Sequence, residues 1–442
     1  MGHLQAMRRS RVFVNASSLF GTTLVTSVLG FAFWAVAARV ATAEAVGGAS
    51  AAISVMQLLG SLGTLGLGTL LIGELGRRPS AAVPLVVAGL RVAAVASLVL
   101  GVAVGLVIGA VTSHPSPLFT LGLPVVLFAV GTSLTAVAAV VDQALVGLSL
   151  GVRQLRRNTV FSVGKLLLLV AAAVSGWLSA PAIYLVWTLG QVVSLVLLWR
   201  RNHDPAAWLR QRGGIASLRG LGRAAFAHHL MNVASHAPVL LLPLVVNAVL
   251  GASVNAAFYI ALLLVGFAWT IPTSLSTALF AVPGDDLVTL ARELRLSLRI
   301  SVVVSIGSAV GFAVLAYPLL LAFGREYTSA RWCLVILGCV TLASAVKSLY
   351  VAVCRVQGKL RVAAIATTVG SLAEILGGGI GTRGGLVGVA VGLGGAMVLE
   401  ALVFAPRVVR AARHAPVDPP GQSTATGRPE GTPDLDLPAT VP

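Results

Sequence analysis

The chain has 442 residues, of which 57% are hydrophobic and only 10% charged, with a mean hydropathy of +0.95. A soluble domain carries about 25% charged residues, so this composition excludes an ordinary water-facing surface and reads as an integral membrane protein. The formal net charge of +17 does not indicate nucleic acid, because the basic residues form no face interleaved with aromatics; they sit in short segments between apolar runs.

A hydrocarbon core about 30 Å thick needs roughly 20 apolar residues of helix. Six such stretches precede the middle of the chain: Val12–Val40, Val46–Leu75, Ala81–Val111, Leu118–Leu150, Thr159–Trp177 and Ala182–Trp199. The N-terminus resembles a signal peptide only superficially, since its apolar run is too long and lacks a cleavage site. Gly101, Gly105 and Gly109 in the third stretch have the small-xxx-small spacing that lets helices approach closely; a general abundance of Gly is the alternative.

The stretch from Arg200 to Arg223 is the longest polar break before the tail, and it carries six arginines. It reads as a cytoplasmic connector between two hydrophobic halves. Six further spans follow: Ala224–Leu250, Asn255–Val282, Ser297–Phe323, Ala330–Cys354, Val362–Ile380 and Leu386–Val403. Pro238 and Pro243 make the first of these the best candidate for a bent helix. Expected units are 1–200 as an N-terminal six-helix lobe, 201–223 as the connector, 224–405 as a C-terminal six-helix lobe, and 406–442 as a disordered, Pro-, Gly- and Thr-rich cytoplasmic tail.

An even span count puts both termini on one side. Most of the 31 Lys and Arg fall in alternate loops, from Arg8, Arg9 and Arg11 through the connector to Arg407 and Arg410. The positive-inside rule therefore places both termini in the cytoplasm of a plasma-membrane protein. Turns on the other side are short, such as the one around Ser179–Pro181, and leave no room for an outer domain. Cys333, Cys339 and Cys354 form no ligand or redox motif and read as inert thiols.

Ionisable residues inside spans default to functional candidates. The basic ones are Arg91, Lys165 and Lys347, with Arg39 at the outer end of the first span. Arg91 reads as facing a polar cavity or a structural partner; for Lys165 and Lys347 the alternative is a stem reaching the interface, and for Arg39 a pair with Glu44. The acids are Asp142, Glu374 and Glu400. Asp142 and Lys165 lie at comparable depth, which suggests a buried pair; Glu400 is expected near the tail arginines, and Glu374 near a cavity or as a proton acceptor. His229 and His236 share a helical face that lines a cavity or pairs helices, with no partners for a metal. No Walker A loop or HExxH occurs, so an enzyme is not expected, and neither is a cofactor.

Several patches together resemble the multidrug/oligosaccharidyl-lipid/polysaccharide (MOP) exporter superfamily, closest to its polysaccharide-biosynthesis, O-antigen-type flippase branch. They are Asn15–Gly21 with Ala38-Arg39 and Glu44–Gly47; Leu241–Pro243, Ala257–Ala261 and Ile271-Pro272; Leu321–Gly324 with Tyr327, similar to a Gly-x-x-Tyr turn; and Val353–Gly358. The resemblance implies an all-α membrane protein of about twelve transmembrane helices, in two six-helix lobes around a central cavity. It implies alternating-access transport of a lipid-linked oligosaccharide or related lipopolysaccharide or cell-envelope precursor. Arg39, Arg91, Lys165 and Lys347 would meet its phosphates, with Asp142, Glu374, His229 and His236 as further cavity groups. Expected partners are membrane lipid, the anionic glycan substrate and glycan-assembly enzymes. A drug/cation antiporter of the same superfamily, or a membrane-embedded glycan ligase or polymerase, are the competing readings.

Overall fold

A computed structural model describes residues 22, 25–75, 82–111, 119, 122–200, 222–279 and 287–413, and they are almost entirely helical. In hydrocarbon every backbone N–H and C=O needs an internal partner, and a helix supplies it within each segment. The N-terminal half contains α1 (Val25–Val40), α2 (Ala43–Gly63), α3 (Leu67–Leu75), α4 (Ala82–Val111), α5 (Leu123–Gly147), α6 (Gly151–Val174) and α7 (Ala180–Arg200). The C-terminal half contains α8 (Gly222–Leu250), α9 (Ala252–Ala278), α10 (Leu287–Leu321), α11 (Arg331–Cys339), α12 (Thr341–Val356), α13 (Leu360–Gly381) and α14 (Gly385–Arg413). Two expected spans are broken, one into α2 and α3 and one into α11 and α12. The helices thus fill the twelve expected positions in order.

The breaks fall where no proline is present. Between α2 and α3, Leu65 and Gly66 turn through left-handed backbone, with φ of 50° and 78°. The α11–α12 pair bends by 45° at Val340. There the Thr341 hydroxyl donates to the Gly338 carbonyl at 2.8 Å and lies 3.0 Å from the Ser308 hydroxyl, so the interrupted ladder is partly satisfied by side chains. The expected bend in α8 is not such a break: the helix runs as one element through Pro238 and Pro243. The Gly-x-x-Tyr turn is present between α10 and α11. Gly324 adopts φ of 150°, and Tyr327 packs fully buried behind it.

Two helix ends differ from hydropathy. α6 begins at Gly151, not Thr159, because Arg153, Arg156 and Arg157 are good helix formers that an apolar count cannot register. α14 continues to Arg413, so the first residues assigned to the tail are helical, with Arg410 and Arg413 in the last turn where the helix dipole favours cations. Most of the connector, at 201–221, and the tail beyond 413 lie outside the described residues.

Burial sorts the helices into a centre and a periphery. In α2, 83% of the span is buried, against 22% in α10 and 28% in α4. α10 instead exposes Val303, Ile306, Val310 and Val314, a stripe that only hydrocarbon would solvate without cost. α2 packs against α5 and α7 in its own lobe and against α8 and α9 in the other. Its small residues permit this. A Cβ on Gly47 would lie 1.6 Å from the Ala252 carbonyl oxygen, so the α2 and α9 backbones are in direct contact there. The Gly101–Gly105 stripe of α4 is likewise used, against Ala129 and Phe128 of α5.

Candidate functional site

A cavity of about 610 Å³ lies between the lobes, walled by α1, α2, α5, α6 and α7 on one side and by α8 and α9 on the other. Helical periodicity builds its polar wall. Arg157, Phe161 and Lys165 recur at every fourth position of α6 and so lie on one face, all toward the cavity. Trp187 and Gln191 are a turn apart on α7. Trp34 of α1 and Tyr259 of α9 close the wall, with ring centroids 4.7 Å apart.

Asp142, from α5, does not pair with Lys165. It is held by Arg157 through two parallel bonds, Nε to Oδ1 at 2.6 Å and Nη2 to Oδ2 at 2.5 Å. Asn158 donates to the same carboxylate at 3.1 Å, and Arg157 Nη1 reaches the Ser194 hydroxyl at 3.4 Å. The planar guanidinium fits a carboxylate bidentately, as the single ammonium of Lys165 cannot. Arg157 itself is 4% exposed although its neighbours in sequence, Arg153 and Arg156, read as loop charges. The i, i+4, i+8 stripe ending at Lys165 was the signal that could have assigned it to the cavity.

Lys165 is 3% exposed. Its Nζ stands 3.5 Å from the ring centroid of Trp187, 4.7 Å from that of Phe161 and 5.1 Å from that of Phe33. Among the described residues no carboxylate comes within ion-pair distance of it. With Asp142 neutralised by Arg157, the cavity wall is left with the charge of one lysine. Gln191 donates to Thr135 Oγ1 at 3.1 Å, adding a neutral polar patch between α5 and α7.

The other candidates do not line this cavity. Arg91 lies on the exposed face of α4, which also carries Val95 and Val99, so its expected cavity position is not found. Arg39 caps the opposite lobe rather than pairing with Glu44: its Nε donates to the Ala322 carbonyl at 2.8 Å, across from the end of α1 to the end of α10. His229 Nε2 is 3.4 Å from the Leu62 carbonyl, bridging the lobes at the connector end of α2. His236 is exposed, with Nδ1 2.8 Å from the carbonyl of its own Asn232. Lys347 and Glu374 pair inside the C-terminal lobe at 2.9 Å, and Glu400 joins them at 3.0 Å instead of meeting tail arginines. The three cysteines are unpaired, with Cys333 and Cys354 buried and Cys339 exposed. Among the described residues no cluster of His, Cys, Asp and Glu could hold a metal.

No protein-family profile and no curated protein matches the chain by sequence. Solved structures do match it in fold. A multidrug-resistance MATE family transporter of the MOP superfamily, in an inward-facing conformation, aligns with a TM-score of 0.64 at 15% identity, over 88% of this chain and 96% of that one. The lipid II flippase MurJ, in an inward closed conformation, aligns with a TM-score of 0.66 at 14% identity, over 88% and 89%. The MATE multidrug transporter DinF-BH, solved as a ligand complex, aligns with a TM-score of 0.64 at 19% identity, over 91% and 94%. The chain therefore has the fold of these transporter and flippase structures. At these identities the likeness extends to the fold and not to any substrate.

Proposed function

We propose that the chain is an alternating-access transporter that moves a lipid-linked oligosaccharide or related anionic glycan precursor across the cytoplasmic membrane. The observation that carries this reading is Lys165: a buried cation facing the inter-lobe cavity with no carboxylate partner among the described residues. An isolated charge at that depth is costly, and an anionic phosphate would supply the missing counter-charge. The aromatic wall of Trp34, Trp187 and Tyr259 offers flat apolar faces for sugar rings beside it. Basic loops on the connector side support cytoplasmic termini and a substrate entering from the cytoplasm, where glycan-assembly enzymes would supply it.

A drug/cation antiporter is the second reading, favoured by the rings of Trp187, Phe161 and Phe33 around the Lys165 ammonium. Three aromatic rings around an ammonium are a cation-binding arrangement, and one structural neighbour is a multidrug transporter solved with a ligand. The readings separate in proteoliposomes. Lys165→Met should abolish translocation of a fluorescent polyprenyl-diphosphate sugar, with Lys165→Arg retaining part of it. If the wild-type chain moves an organic-cation dye and not the diphosphate lipid, and Lys165→Met improves dye binding, the glycan reading fails and the antiporter stands.

A further inference from the structure

The C-terminal lobe holds a second charged cluster that the cavity does not use. Lys347 of α12 lies 2.9 Å from Glu374 Oε1 of α13 and 3.0 Å from Glu400 Oε2 of α14. Its Nζ is also 3.3 Å from the Ser371 hydroxyl, which donates to the Ala234 carbonyl of α8. All three ionisable side chains are at least nine-tenths buried. Glu400 meets the ammonium as a charge contact only: neither of its carboxylate oxygens receives a hydrogen bond.

The formal charge does not balance. One ammonium faces two carboxylates, which leaves one unit of negative charge inside the lobe. The other titratable or charged groups on the packed faces do not supply the missing positive charge. Tyr350 and Cys354 of α12 are neutral as phenol and thiol. Arg407 of α14, two turns beyond Glu400, donates to the Tyr350 hydroxyl at 3.1 Å. α8 turns its Ala234 carbonyl to the cluster, while His229 and His236 are bonded elsewhere. α9 contributes Tyr259, which faces the central cavity, and α11 carries Cys333, Cys339 and, at its exposed first residue, Arg331, whose guanidinium lies by the Trp332 ring. On α10, Arg292 and Glu293 pair with each other at an exposed position, Arg299 is exposed and Arg295 half-buried, and on α12 Arg355 donates to the Asn232 side chain of α8. Among the described residues the ion pairs of Glu374 and Glu400 are with Lys347.

Water does not dissolve the imbalance on the remaining side. Behind Glu400, α13 and α14 diverge into a groove walled by Val369, Leu399 and Val403, all exposed to the surrounding hydrocarbon. Gly370 forms its floor so closely that a Cβ there would lie 2.0 Å from Glu400 Oε1. A carboxylate that shares its one ammonium with Glu374 thus stands at the base of an apolar groove, where a negative charge is poorly solvated.

We propose that Lys347, Glu374 and Glu400 form a binding site for one proton, held jointly by the two carboxyl groups. With it the cluster is neutral: one ammonium, one carboxylate and one carboxylic acid, the acid donating the hydrogen bond that Glu400 lacks. The proton belongs to the pair rather than to either residue. It is gained or lost only when α12, α13 and α14 admit water, so the packing of this lobe responds to proton activity on the side that opens. This inference does not depend on what the central cavity carries.

Infrared spectroscopy of the purified full chain in lipid nanodiscs at neutral pH tests it by stoichiometry. The wild type should show one protonated-carboxyl band per chain. Glu400→Gln and Glu374→Gln should each remove it, because the surviving carboxylate and Lys347 then form a neutral pair. Lys347→Met should raise it to two. Loss of carboxylate intensity alone in both Gln variants, with no protonated band in the wild type, would overturn the proposal. Should Lys347→Met fail to fold, the two Gln variants decide by themselves.

Discussion

Arg157 and Asp142 face each other across the α5–α6 junction through two bonds of 2.6 and 2.5 Å, with the arginine almost wholly buried. This pair removes the one carboxylate that could have neutralised Lys165. The cavity's positive character is therefore set by a residue, Arg157, that does not itself carry the free charge.

Breaking this pair from one side should be costly. Arg157→Leu strands Asp142 in the lobe and should destabilise it by about 3–5 kcal/mol. Arg157→Leu with Asp142→Leu removes both charges and should recover most of that loss. Thermal melts of the two single variants and the double in detergent measure the coupling. Additive losses would show that the pair contributes nothing beyond its separate side chains.

The sequence made the span order legible and the partners of its charges largely illegible. Twelve apolar runs and alternating basic loops are local signals, and the helices follow them in order. The Gly-x-x-Tyr turn and the Gly101–Gly105 stripe were also readable, because each depends on a backbone property of glycine. Which charge meets which is a matter of helix rotation and neighbours. Depth alone suggested Asp142 with Lys165, whereas the rotation of α6 presents Arg157 first. Depth likewise could not distinguish the exposed face of α4, where Arg91 lies, from a cavity face. Lys347, Glu374 and Glu400 come from three helices whose packing no spacing encodes.

Orientation is open to direct measurement. Reporter fusions after Ser179, Gly251 and Gly324 should report the outside, and fusions after Arg201 and Pro416 the cytoplasm, as the basic loops require. A reversed signal at Ser179 alone would make α6 and α7 a re-entrant unit rather than two spans.

Close packing of α4 on α5 should tolerate no side chain at Gly101. A Cβ there would lie 2.7 Å from the Ala129 Cα, a backbone atom that cannot step aside. Gly101→Val should cost about 1–3 kcal/mol through overpacking. Val99→Leu, on the lipid-exposed face of the same helix, should leave the melting temperature unchanged. Equal effects of the two substitutions would mean that the helix pair is loose enough to absorb a branched residue.

The lobes should part at the end of α2 where Gly47 sits, and a side chain there should hold them apart. Three contacts now join them. Gly47 abuts the Ala252 backbone, Asn255 Nδ2 donates to the Gly47 carbonyl at 2.8 Å, and the same nitrogen reaches the Ser50 hydroxyl at 3.2 Å. Arg39 adds a clasp from α1 to the Ala322 carbonyl at that end. A valine at position 47 cannot coexist with the Ala252 carbonyl, so the closed arrangement loses its backbone contact and both Asn255 bonds weaken with it. Gly47→Val should shift the population toward the form open at this end, while Asn255→Ala, which removes only the bonds, should shift it less. Ser54, one turn along α2 from Ser50, lines the cavity and can report access. In a background lacking the three native cysteines, Ser54→Cys should react slowly with an impermeant thiol reagent added from the Gly251 side. Adding Gly47→Val should speed that labelling several-fold, and adding Asn255→Ala should speed it by a smaller factor. Labelling unchanged by Gly47→Val would show that the lobes do not separate along α2 and α9, and would move the gate to another pair of helices.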